Sequence, residues 1–136
     1  MRILLADDHS LFRGSLRSLV EARGLEVVGE ASDGRQAIEL ATQLQPDLLI
    51  MDLSMPVLNG IDATRLLTVA MPHLKVILLT ASMDDEDLFE ALRAGAHGFL
   101  LKDLEADSFF NLLDRAMAGE LALTPPTRRR SRRESP

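Results

Sequence analysis

The chain contains no cysteine, no tryptophan and no tyrosine. Without cysteine it has no disulfides, no thiolate zinc site and no thiol catalysis. Its only aromatics are five phenylalanines, too few for a platform that stacks the bases of single-stranded nucleic acid. Long apolar runs are missing too, and none approaches the roughly 20 residues a membrane-crossing helix needs. The start, Met1-Arg2-Ile3, leads directly into acidic residues and does not read as a signal peptide. A soluble, cytoplasmic protein with no membrane partner is the expectation.

What is present suits one folded domain. A chain of 136 residues buries about two thirds of its unfolded surface. Its 46% hydrophobic and 26% charged residues are those of an ordinary globular protein. The net charge of −6 is unevenly spread. Five arginines against Glu134 leave the last nine residues at +4, so the 127 before them carry −10. An acidic body repels nucleic acid. Direct DNA contact is therefore left to the Arg128–Arg133 tail or to a part outside this sequence.

Five short apolar runs read as strands: Ile3–Ala6, Leu25–Glu30, Leu48–Met51, Val76–Leu79 and Gly98–Leu101. Most are continuously apolar, as strands covered on both faces of a parallel sheet must be. The second carries two acids and suits an exposed edge. Between them the apolar period becomes helical: Phe12, Leu16, Leu19 and Val20; Ala37, Ile38, Ala41 and Leu44; Ala63, Leu66, Leu67 and Ala70; Leu88, Ala91 and Leu92; Phe109, Phe110, Leu113 and Met117. Asp33-Gly34 and Asp84-Asp85 read as helix starts, Gly95 and Gly119 as helix ends. Alternating strands and helices predict an α/β fold, a (βα)5 doubly wound parallel sheet of flavodoxin-like type with strand order 2-1-3-4-5. After Gly119 the pattern stops. Leu121-Ala122-Leu123 looks too short for a further element, and Thr124-Pro125-Pro126 opens an extended linker.

Ligands of such sheets bind beyond the carboxyl ends of the strands. There the sequence offers Asp7-Asp8, Asp52, Thr80 and Lys102. Two unit charges 4 Å apart repel by about 4 kcal/mol at an effective dielectric of 20, so three converging carboxylates need counter-charge. Lys102 is one source and a hard, water-retaining Mg2+ the obvious second. Carboxylate-held Mg2+ beside Lys and Thr is what a dianionic phosphoryl group requires. No Gly-rich nucleotide cradle is present, so a covalent phosphoryl group on an aspartate is expected.

From Met1 to about Gly119 the chain resembles the receiver domain of two-component response regulators. The resemblance rests on Leu5-Ala6-Asp7-Asp8-His9, Met51-Asp52-Leu53-Ser54-Met55-Pro56, Leu58-Asn59-Gly60, Leu79-Thr80-Ala81 and Gly98-Phe99-Leu100-Leu101-Lys102-Asp103, and is strongest to the NarL/FixJ (LuxR-type) subfamily. It implies that Asp52 is the phosphoacceptor for a sensor histidine kinase. It further implies Mg2+ held by Asp8, Asp52 and the Ser54 carbonyl, with Asp7 acting through water. Thr80 and Lys102 would bind phosphoryl oxygens, Thr80 and Phe99 would form the conformational switch, and Ser54 and Ser82 would tune dephosphorylation, with a phosphoryl lifetime of minutes.

Two positions depart from the family pattern: Phe99 lacks a tyrosine hydroxyl, and Asp103 follows the lysine where many receivers have proline, so a trans bond is expected. The resemblance also implies residues 1–119 as the receiver and 120–136 as a linker and basic tail leading to an absent helix-turn-helix domain. DNA would be reached only through that domain, and a homodimer is a possible assembly. A stand-alone receiver acting by docking on a partner protein is the alternative. A small phosphatase with an aspartyl nucleophile would want a second acid where Ser54 stands, and no cap insertion is present. The chain is therefore read as no enzyme beyond its own Mg2+-dependent phosphorylation and dephosphorylation.

Overall fold

The computed structural model describes residues 1–124; the Arg128–Arg133 tail lies outside the described residues. The chain alternates β1 (Arg2–Ala6), α1 (Ser10–Ala22), β2 (Glu26–Ala31), α2 (Gly34–Leu44), β3 (Leu48–Asp52), α3 (Gly60–Ala70), β4 (Lys75–Thr80), α4 (Asp85–Ala94), β5 (Gly98–Leu101), α5 (Ala106–Met117) and β6 (Ala122–Leu123). All strands pair in parallel, in the order β2-β1-β3-β4-β5-β6. The doubly wound five-strand arrangement is the one the alternating pattern predicts, with β2 on the edge.

One element was not expected. Ala122–Leu123 adds a sixth strand beside β5, pairing Gly98 with Ala122 and Phe99 with Leu123. A free strand needs length, but a two-residue strand laid on an existing edge needs only free backbone groups and a side chain to bury. Here Ala122 is fully buried, its N–H donates to the His97 carbonyl, and the Thr124 N–H donates to the Phe99 carbonyl.

Two apolar clusters sandwich the sheet. On one face Ile3, Leu5, Leu48, Ile50, Leu79 and Leu100 meet Leu16 and Val20 of α1 and Phe109, Phe110 and Leu113 of α5. On the other, Leu4, Leu49, Met51, Leu78 and Phe99 meet alanines of α2, α3 and α4. Truncating a fully buried strand leucine such as Leu49 to alanine costs about 2–5 kcal/mol. The buried face of α3 is Gly60, Ala63, Thr64 and Leu67, whereas Leu66 and Ala70 of the expected stripe face solvent. Thr64 takes the inner position because its hydroxyl donates to the Gly60 carbonyl, 2.7 Å away, and carries no unpaired polar atom inside. The helix starts follow the sequence signals: Asp33 and Asp84 accept backbone N–H bonds at the N-caps of α2 and α4. At α1 the N-cap is His9, which makes no side-chain capping bond.

Candidate functional site

Alternation along the strands decides which side chains meet. Asp52 follows Leu48 and Ile50, Asp7 follows Ile3 and Leu5, and Lys102 follows Leu100, all on the α1–α5 face. The three strand ends therefore aim Asp7, Asp52 and Lys102 into one crevice. Carboxylate oxygens of Asp7, Asp8 and Asp52 lie within 4.8 Å of one another. The Lys102 ammonium stands 2.8 Å from Asp7 Oδ2 and 3.4 Å from Asp52 Oδ2. Asp7 and Asp52 are only 2% and 6% exposed, while Asp8 is open to solvent.

The surrounding backbone is built around this cluster. Asp7 Oδ1 accepts the His9 N–H at 2.8 Å. Behind it, Arg13 donates to the Asp7 carbonyl and pairs with Glu30 at 2.8 Å, and Arg17 grips the other Glu30 oxygen at 2.6 Å. These hydrogen bonds from Arg17 and Arg13 hold the Glu30 carboxyl below its ordinary pKa. The network ties α1 and β2 to the peptide that carries Asp7. On the other side, Asn59 caps α3 by accepting the Asp62 N–H, and Gly60 donates to the Leu53 carbonyl. A Cβ on Gly60 would lie 2.4 Å from the Asp52 carbonyl oxygen. Glycine is required there because the helix start is packed against the Asp52 backbone.

Electrostatics mark Asp52 as the unsettled member. Burial and the Asp7 charge push its pKa up, against the opposing pull of Lys102 and the Ser54 N–H. For Lys102, burial works against the charge, but its contact with Asp7 and the charge of Asp52 outweigh this, and its pKa is raised. One amine thus faces three acids. Asp7 Oδ2 is buried with no hydrogen-bond partner besides that ion pair. A set of clustered, all-oxygen donors, one of them solvent-facing, fits a hard divalent cation such as Mg2+ that keeps part of its water.

Not every expected site residue points into the crevice. Thr80 is buried at the end of β4, but its hydroxyl donates to the Ser82 carbonyl at 2.9 Å and accepts the Ser82 N–H at 3.3 Å. Its strand parity is that of Leu78, on the α2–α3–α4 face. Phe99 is fully buried on that same face, so the expected switch ring starts enclosed. Ser54 and Ser82 are exposed. Asp103 follows Lys102 through a trans bond, and no cis bond occurs among the described residues.

The sequence model of the response regulator receiver domain matches residues 3–114. The chain belongs to the response regulator receiver family. This receiver is 42% identical over 123 residues to the nitrate/nitrite response regulator protein NarL of Escherichia coli strain K12, a match covering 90% of this chain and 57% of that protein. It is 39% identical over 126 residues to the transcriptional regulatory protein LnrK of Bacillus subtilis, covering 92% of this chain and 57% of that one. It therefore spans little more than half the length of these relatives. Among solved structures, a two-component response regulator of the LuxR family from an Aurantimonas species superposes with a TM-score of 0.88 at 31% identity, covering 98% of this chain and 96% of the other. The signal receiver domain of a response regulator designated NarL from Mycobacterium tuberculosis gives 0.80 at 33%, covering 88% and 97%. The NarL/LuxR-type kinship read from the motifs is the one these relatives share.

Other contacts of the pocket have no signal in the sequence. Arg13, Arg17 and Glu30 serve the acid pocket from outside any motif, since a salt bridge across 13 or 17 residues leaves no local signature. Phe12 reads as one member of an apolar helix stripe, although its ring lies against Lys102.

Proposed function

We propose that this receiver is the phosphoacceptor of a two-component response regulator in which Asp52 accepts a phosphoryl group from a sensor histidine kinase. In this reading an Asp52 carboxylate oxygen attacks phosphorus, the bond to the kinase imidazole nitrogen breaks, and the electron pair leaves with the imidazole. The product is an aspartyl phosphate. Asp7, Asp8 and Asp52 would hold Mg2+, joined by the Ser54 carbonyl. When bound, the ion supplies the charge neutralisation that lets a dianion enter an acidic pocket.

The chain's own groups do the rest. Lys102, already bridging Asp7 and Asp52, transfers one contact to a phosphoryl oxygen. The Thr80 hydroxyl exchanges its bonds to the Ser82 backbone for another phosphoryl oxygen. Releasing Ser82 loosens the connection to α4, and Phe99, packed on that face, is placed to feel the change. That is a two-state element biased by a local charge event. Exposed Ser54 and Ser82 leave the pocket open to water, which favours hydrolysis within minutes. Output through DNA, from a helix-turn-helix domain joined through residues 120–136, in a homodimer and in the cytoplasm, completes the proposal.

The observation that carries this reading is the convergence of three carboxylates and one ammonium, with Lys102 at 2.8 and 3.4 Å from two of the acids. Intact-mass analysis after acetyl phosphate and Mg2+ tests it. Wild type gains about 80 Da, one HPO3, and Asp52→Asn does not. Equal mass gains for the two proteins, whether about 80 Da or none, would overturn the assignment of Asp52.

A further inference from the structure

The Lys102 ammonium has a third neighbour, which the acid pocket does not account for. Its Nζ stands 4.5 Å from the centroid of the Phe12 ring, in the first turn of α1. The same amine meets Asp7 Oδ2 at 2.8 Å and Asp52 Oδ2 at 3.4 Å. An ammonium has three N–H groups and no acceptor. Two carboxylates and one π face leave little of it to solvent, and the side chain is 17% exposed.

The wall around Phe12 explains why the ring is there. Phe12 and Lys102 line a cavity of about 120 Å³ with Leu16, Leu79, Leu104 and Phe109. Lys102 is thus one wall of a largely apolar cavity, and its side chain is mostly covered. A flexible four-carbon stem beside open water would swing away from the acids. A ring face offers the cation negative quadrupole density where an aliphatic side chain offers only shape.

We propose that Phe12 is a positioning residue for Lys102, its ring face holding the ammonium at the acid pocket and aimed at the carboxylate that accepts the phosphoryl group. The last clause rests on the proposed phosphoacceptor role of Asp52; the contact itself does not.

Two variants and two measurements test this. Phe12→Leu keeps an apolar side chain at a half-buried position and removes the π face; Phe12→Tyr keeps the face. The chain has only two lysines, Lys75 and Lys102, so the Lys102 ε-methylene resonance can be followed by NMR with Lys75 as internal reference. The ring face shifts it upfield in wild type and in Phe12→Tyr, and the shift disappears in Phe12→Leu. The rate of modification by acetyl phosphate falls about fivefold in Phe12→Leu, within the range of a partly desolvated cation–π contact, and stays near wild type in Phe12→Tyr.

The proposal is overturned by a missing upfield shift in wild type, by a wild-type rate in Phe12→Leu, or by equal slowing in both variants, which would mark a purely packing role. If wild type itself takes up no phosphoryl group, the function proposed for Asp52 fails, and the NMR comparison still decides whether Phe12 holds the amine. A melting curve for each variant separates loss of contact from loss of fold.

Discussion

Val57 holds φ at 69° in the loop between Asp52 and α3, a left-handed conformation in which a β-branched side chain crowds its own backbone. It is 75% exposed and gains little packing in return. Val57→Gly should stabilise the protein by about 1 kcal/mol, the cost of placing a side chain in that region, read as a rise in the urea midpoint. An unchanged or lower midpoint would mean that the valine is held by contacts that outweigh its strain. His97 makes a different prediction. Its Nδ1 accepts the Val76 N–H at 3.0 Å, and burial, helped by Lys75, lowers its pKa from 6.5. Below 6.5 the unfolded chain takes up a proton that the folded chain resists. Stability is therefore fully present above that value and falls as pH drops towards the lower folded pKa. Denaturation across that window should show a steeper loss in wild type than in His97→Gln; parallel curves would dispose of the claim. Both residues lie outside the motifs. The motif positions were legible because strand ends concentrate chemistry, whereas a positive φ or a half-buried imidazole arises from loop geometry and from which strand lies alongside.

At the scale of elements, β6 is the instructive case. Nothing in Leu121-Ala122-Leu123 distinguishes a strand from a short apolar linker, because the partner that makes it one is β5, some twenty residues earlier. Thr124 closes the attachment: its Oγ1 accepts the Leu101 N–H at 2.9 Å, one residue before Lys102. Thr124→Val preserves shape but leaves that amide without its acceptor. A loss of about 1–3 kcal/mol is expected, together with faster amide exchange at Leu101, while Thr124→Ser retains both. Protection of Leu101 unchanged in the valine variant would show that the hydroxyl is not its acceptor. The helices α1, α2, α4 and α5 bury faces that the 3.6-residue period anticipates. In α3 the stripe turns towards Thr64 because the hydroxyl bonds within the helix, an exchange that a hydropathy pattern ranks the wrong way round.

For the whole molecule, the balance of charge in the crevice decides the response to metal. Three acids facing one amine are held together against their repulsion by the surrounding sheet. Any ion that binds the folded state alone stabilises it by mass action. Mg2+ at about a hundred times its dissociation constant should add about 2.7 kcal/mol to the unfolding free energy. Asp8→Asn should lose most of that gain while keeping the fold, since Asp8 is exposed. Calorimetric unfolding with and without Mg2+ checks this. Equal gains for wild type and Asp8→Asn would place the ion elsewhere.

The amino-acid order by itself determined the alternation of strands and helices, the buried parallel sheet, and the set Asp7, Asp8, Asp52, Thr80 and Lys102 at the strand ends. Those are local or periodic properties, written in spacing and residue type. Only the tertiary structure decided that Lys102 touches Asp7 and Asp52 while Thr80 bonds to Ser82. Only it set the Phe12 ring against the amine and made a strand of Ala122–Leu123. Such contacts depend on which face and which neighbour each strand end meets after the sheet is assembled, and residues far apart along the chain carry no signal of one another until then.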